Sequence, residues 1–82
     1  MITGDRVKKV IIECFGCDPG ELVDSAELSN DLGLDDIDLV YLAMGLEEEF
    51  NVIIPDEDII ELINIENVTD FINILMEKEN EK

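Results

Sequence analysis

Carboxylates are the only reactive side chains that this sequence supplies in quantity: 22 Asp and Glu stand against five Lys and Arg, and there is no histidine. The densest group, Asp35, Asp36 and Asp38, opens the run Asp31 to Phe50, DLGLDDIDLVYLAMGLEEEF. Paired acids can divide general acid and base roles when their surroundings push their pKa values apart. Acids crowded on a solvated, acidic surface lack that asymmetry. The only serines, Ser25 and Ser29, have no imidazole to activate them, so no nucleophile with a positioned base can be assembled. Asp31, Gly33, Asp35 and Asp36 superficially suggest a calcium loop. The spacing fails, because an EF-hand needs acids at alternate positions before its glycine and a bidentate Glu at position 12, and only weak, unspecific cation binding follows. Cys14-Phe15-Gly16-Cys17 is formally C-x-x-C, yet it sits at the end of a helical pattern in an acidic chain, which favours the neutral thiol. A four-ligand zinc site lacks two ligands. Cys14 reads as core packing and Cys17 as a loop thiol. The sequence therefore assigns no catalytic residue and no metal site.

The carboxylates at 35 to 38 matter through the helix they open. Leu39, Leu42, Ala43, Leu46 and Phe50 recur three or four apart and form one stripe, which predicts a core face. Ile37, Val40, Tyr41 and Met44 form a second stripe nearly opposite, rimmed by Asp38, Glu47 and Glu48. That stripe is either covered by a neighbouring element or held for a partner. The helix is expected to start at about Asp35 or Asp36, where an aspartate caps the first turn and acids complement the positive end of the dipole. Glu47, Glu48 and Glu49 at its far end are disfavoured by a few tenths of a kcal/mol each, a cost that hints at a partner of opposite charge.

Elsewhere the chain supplies the rest of a bundle. A first helix is expected to about Phe15, capped by Thr3 or Asp5, with Val7, Val10, Ile11 and Cys14 inward and Gly16 in a left-handed terminating position. From Cys17 to about Asp35 no period survives; Asp18-Pro19-Gly20 signals a turn, and Leu22, Val23, Ala26, Leu28 and Leu32 read as pegs that tack a long loop to the core. Pro55 breaks the pattern after Phe50. Asp56 is then expected to cap a short third helix with Ile59, Ile60 and Ile63 inward. A last helix from about Glu66 to Glu77 presents Val68, Phe71, Ile72, Leu75 and Met76 as its apolar stripe, and 78–82 is expected to fray.

Size and charge narrow the function classes. Eighty-two residues, 46% of them hydrophobic, make one small domain burying roughly 60% of its unfolded surface, too little for a large catalytic cleft. The formal charge is −17, and no Lys or Arg lies between Val10 and Glu77. Such a field repels nucleic acid and anionic membranes and steers basic protein partners. No apolar run reaches the 18 or so residues of a membrane span. The start, Met-Ile-Thr-Gly-Asp, lacks the regions of a signal peptide, so a cytoplasmic location is expected.

Leu32-Gly33-Leu34-Asp35-Asp36-Ile37-Asp38, then Leu46-Glu47-Glu48-Glu49-Phe50 and Ile54-Pro55-Asp56-Glu57, together resemble the acyl carrier protein family, and the similarity runs from Arg6 to Ile72. The resemblance implies an all-α, antiparallel four-helix bundle, three helices longer and one short, with a long first loop, as a single domain over 1–82. It also implies a monomeric non-enzyme that serves fatty-acid, polyketide or related synthesis. In that family the second helix opens with Asp-Ser-Leu, and the serine holds a phosphopantetheine arm that carries acyl thioesters. Position by position, Gly33 and Asp35 match the family, Asp36 falls on the attachment serine, Ile37 on the leucine, and Asp38 follows. A carboxylate cannot form the serine phosphodiester, so no phosphopantetheine is expected on this sequence. Tyr41 stands where many carriers have an acid, and the link from Ile63 to Val68 is one residue short. The resemblance leaves open a divergent natural homologue, a carrier whose serine was deliberately replaced, or a non-carrier scaffold or regulator with the same fold. Ile37, Val40, Tyr41 and Met44 are the expected apolar docking contacts on basic-surfaced acyl-transfer enzymes, with Asp38, Glu47 and Glu48 steering.

Overall fold

A computed structural model describes residues 3–79 of the chain. Four α-helices follow one another, α1 (Thr3–Phe15), α2 (Asp36–Phe50), α3 (Asp56–Ile59) and α4 (Ile65–Glu79), with a single 3-10 turn at Pro19–Glu21 and no strand among the described residues. The all-helical bundle expected from the apolar periods is thus the observed architecture, long first loop included.

The antiparallel register of α1 and α2 is fixed by contacts at both ends. At one end the Arg6 guanidinium meets the Glu49 carboxylate at 3.1 Å, donates to the Glu49 carbonyl at 3.0 Å and lies 4.4 Å from the centre of the Phe50 ring. At the other, Phe15 and Tyr41 stack edge to face with centroids 5.8 Å apart. Between them Gly45 lets the helices approach: a Cβ there would come within 3.0 Å of Cys14 Sγ and 3.1 Å of Val10 Cγ1. α1 also packs on α4, and Val7, Val10 and Ile11 share one core with Leu42, Ala43, Leu46, Val68 and Ile72.

The long loop is pinned both by side chains and by backbone. Leu22, Ala26 and Leu28 are buried and Leu32 is half-buried, as expected, but Val23 is 56% exposed and is not a peg, while Leu34, not among the expected pegs, is buried. It sits in a turn where Ala26 N–H bonds the Val23 carbonyl, which turns its side chain outward. An unforeseen tie runs to the start of α4: Leu28 N–H donates to Ile63 O at 2.8 Å just before that helix, and in its first turn Ile65 N–H donates to Ala26 O and Glu66 N–H to Asp24 O. These bonds satisfy loop backbone groups that burial would otherwise orphan.

Several expected boundaries and faces move. Thr3 and Asp5 lie inside α1, and the Thr3 hydroxyl donates to Asn73 Oδ1 on α4 instead of capping its own helix. Gly16 ends α1 as expected, at φ 69° with its N–H on Ile12 O. The N-cap of α3 is Pro55, with Asp56 the first helical residue and no side-chain cap. Because α3 lasts only one turn, Ile59 and Leu62 point inward, whereas Ile60 is 80% exposed and Ile63 57% exposed, contrary to the inward placement expected for both. α4 starts one residue early, at Ile65, where Asn64 Oδ1 accepts the Asn67 N–H at 2.7 Å, and it continues through Lys78 to Glu79. Of the tail expected to fray, 80–82 lies outside the described residues.

Candidate functional site

The mouth of α2 is built from the turn upward. Gly33 takes φ 70°, a left-handed conformation that glycine adopts without steric cost, and Leu34 then drops into the core and anchors the chain before the helix. Asp35 is the N-cap: its Oδ1 accepts the Asp38 N–H at 2.9 Å while Asp38 Oδ2 accepts the Asp35 N–H at 3.1 Å. This reciprocal capping box uses both carboxylates on orphan helix donors. Asp36, between them, takes no part in it; it is the first helical residue and is solvent-exposed. Of the two expected starting residues, Asp35 therefore caps and Asp36 begins the helix. The carboxylate of Asp36 gains only from the dipole.

Downstream, the two stripes of α2 separate cleanly. Leu42, Ala43, Leu46 and Phe50 are buried and Leu39 is half-buried, whereas Ile37 (78% exposed), Val40, Tyr41 and Met44 face solvent. Tyr41 is also braced by Phe15. At the far end Glu49 is paired with Arg6, and Glu47 Oε2 accepts the Ile54 N–H at 2.8 Å, so two of the three acids at the negative pole have counterparts inside the chain. Glu48 is exposed. The left-handed Asn51, at φ 55°, closes the helix with its N–H on Glu47 O.

Surface grooves lie on either side of this helix. One, of about 400 Å³, lies between α2 and α3 and is lined by Asp36, Leu39, Val40, Asp56, Ile59 and Ile60. The other, of about 560 Å³, runs between α1 and α2, where Glu13 and Cys14 meet Tyr41, Met44, Glu47 and Glu48. Sequence reasoning missed the contributions of α3 and α1 to these surfaces, since no periodicity within α2 reports what lies beside it. Cys14 and Cys17 are both half-buried and free. Burial pushes the Cys14 thiol pKa up, helped by the Glu13 charge, and burial and Glu21 do the same for Cys17. Among the described residues no three His, Cys, Asp or Glu side chains gather as a metal site.

The profile of the phosphopantetheine attachment site family matches residues 5–72, from the first turn of α1 to the middle of α4. The chain belongs to this family. It is 35% identical over 71 residues to an acyl carrier protein of Zymomonas mobilis, covering 87% of this chain and 91% of that protein. Acyl carrier proteins of Rhodopseudomonas palustris and Nitrobacter winogradskyi are 42% identical over 69 residues, covering 84% of this chain and 87% of each relative. Carriers of this family are not enzymes; they bear a phosphopantetheine group and interact with the enzymes of acyl transfer and synthesis. In this carrier-family chain, the stretch from Asn30 to Val68 contains neither Ser nor Thr. No described helix is long and apolar enough to cross a membrane.

Proposed function

We propose that this chain is a carrier-fold docking module of fatty-acid, polyketide or related acyl-transfer pathways that does not take the phosphopantetheine arm. The observation that carries the reading is the exposed Asp36 at the first position of α2. An arm joined through a phosphodiester needs a hydroxyl at that point, and the nearest Ser and Thr, Ser29 and Thr69, lie outside the motif. The donor set does not fit the group, so no acyl cargo is carried through it.

What remains for the module is recognition. Ile37, Val40, Tyr41 and Met44 offer apolar contact, and Asp38, Glu47 and Glu48 orient a basic surface, with a capping or backbone bond holding one oxygen of Asp38 and of Glu47 in place. Gly33 and Asp35 shape the turn that presents them. A charge of −17 opposes self-association and anionic surfaces, which supports a monomeric protein that avoids nucleic acid and membranes; a single domain over 1–82 and a cytoplasmic location are part of the same proposal.

The test is to incubate the protein and its Asp36→Ser variant with coenzyme A and a broad-specificity phosphopantetheinyl transferase and to weigh both. The expected result is a mass gain of one arm on the serine variant alone. A gain on the unaltered chain overturns the reading, and failure of both favours a scaffold whose surface no longer suits carrier-modifying enzymes.

A further inference from the structure

The seam between α1 and α2 holds one guanidinium site that is filled from within the chain: Arg6 lies 4.4 Å from the centre of the Phe50 ring and 3.1 Å from the Glu49 carboxylate. Toward the other end of the seam an aromatic ring and carboxylates come together again. Two cavities there, of about 560 and 310 Å³, share Glu13, Cys14, Gly45 and Glu48 and so form one furrow. Cys14 and Gly45, both half-buried, make its floor, and the exposed Glu13 and Glu48 rim it. Tyr41, 54% exposed, lines the wider end, braced edge to face by Phe15 with the rings 77° apart. Such a contact covers at most one face of a ring, so Phe15 leaves at least one face of Tyr41 uncovered. Among the described residues the ion pairs are Arg6 with Glu49 and Lys8 with Asp24, so no cation of the chain is paired with Glu13 or Glu48.

We infer that this furrow is a binding site for an arginine side chain of a partner protein, its guanidinium flat on the Tyr41 ring and its N–H groups on the Glu13 and Glu48 carboxylates. The inference rests on the reading of α2 as a docking helix and names the cation that a basic partner places beside it. A guanidinium is planar, weakly hydrated and donates through a rigid fork, so it stacks on an aromatic face while bonding carboxylates at the edge of that face. An ammonium is compact and strongly hydrated and loses the stacking. The half-buried floor favours the less hydrated cation further. Tyr41 stands where many carriers have an acid, so a preference for arginine over lysine belongs to this chain's own aromatic residue and not to an acidic helix in general.

The experiment titrates Nα-acetyl-arginine amide and Nα-acetyl-lysine amide, which carry the same charge, into the full chain at low salt. Amide and methyl NMR follow binding, and so does tyrosine emission, because Tyr41 is the only tyrosine and there is no tryptophan. Saturable shifts are expected at Cys14, Tyr41, Met44 and Gly45, with the arginine probe bound about fourfold more tightly than the lysine probe. Tyr41→Leu, which keeps apolar bulk without a ring, is expected to abolish the preference, and Tyr41→Phe to retain it. Glu13→Gln with Glu48→Gln is expected to weaken both probes about fivefold, whereas Glu66→Gln with Asp70→Asn removes the same charge from α4 and should change neither by more than about twofold. Equal affinity for the two probes, a preference that survives Tyr41→Leu or is lost in Tyr41→Phe, or equal weakening by the α4 pair overturns the inference. Saturable shifts elsewhere on α2 but not in the furrow overturn it and leave the docking of basic surfaces standing. If neither probe gives a saturable shift anywhere on α2, the docking reading falls with it.

Discussion

Asp35, Asp36 and Asp38 carry the same functional group within four positions and do different things, because each meets a different set of backbone donors. Asp35 and Asp38 exchange hydrogen bonds with each other's N–H groups, whereas Asp36 meets solvent and the helix dipole. Replacing Asp35 by Ala should therefore lower stability by about 1 kcal/mol, the usual cost of a lost N-cap, and Asp36→Ala by only a few tenths. Urea midpoints of the two variants compare them directly, and equal losses would contradict the division of labour. The cysteines give a residue-scale pH dependence. Their folded pKa values lie above the ordinary thiol value because burial disfavours the thiolate. Their contribution to stability is thus complete below the ordinary thiol range and is lost as the pH rises through the folded values. Thermal unfolding followed from pH 7 to 10 should show a steeper alkaline decline for the unaltered chain than for a Cys14→Ala, Cys17→Ala variant.

At the scale of elements, the seam between α1 and α2 decides where the exposed stripe of α2 points. Glycine within a helix costs roughly 1 kcal/mol against alanine, yet Gly45 sits at the closest approach, where a Cβ would press on Cys14 and Val10. Gly45→Val should destabilise by about 2 kcal/mol through overpacking, while Gly45→Ala, whose propensity gain offsets the crowding, should stay within about 1 kcal/mol of the unaltered chain. Chemical denaturation of the pair measures both. The short third helix is the opposite case: one turn, no side-chain cap, three acids and two exposed isoleucines nearby. Few contacts hold it, so its amides should exchange with deuterium well before those of α1 and α2, and equal protection would contradict that ranking.

For the whole molecule, charge dominates. The longest dimension is 37 Å and the shortest 19 Å. In about 0.01 M salt the screening length is roughly 30 Å, so most of the carboxylates repel one another across the molecule, whereas at about 0.15 M it falls to about 8 Å and only neighbours do. Added sodium chloride should therefore raise the melting temperature by several degrees over that range, with calorimetry as the readout. A melting temperature that is flat or falling with salt would mean that the Arg6 to Glu49 and Lys8 to Asp24 pairs outweigh the repulsion.

The sequence by itself determined the helices that are long enough to show a period. α1, α2 and α4 announce their buried faces through spacings of three and four, and the motif around Asp36 was readable because it is local, a turn and a cap written in consecutive residues. What only the tertiary structure decided lies across element boundaries. Ile60 and Ile63 face solvent because α3 ends after one turn, too short for a period to fix its face. Glu47 and Glu49, which read as unpaired acids, find Ile54 and Arg6 only once the chain has folded back. The groove that joins Asp36 to Asp56 sets side by side two residues 20 positions apart. Local pattern fixes which side of a helix is apolar; packing alone determines whether that side meets core, partner or groove.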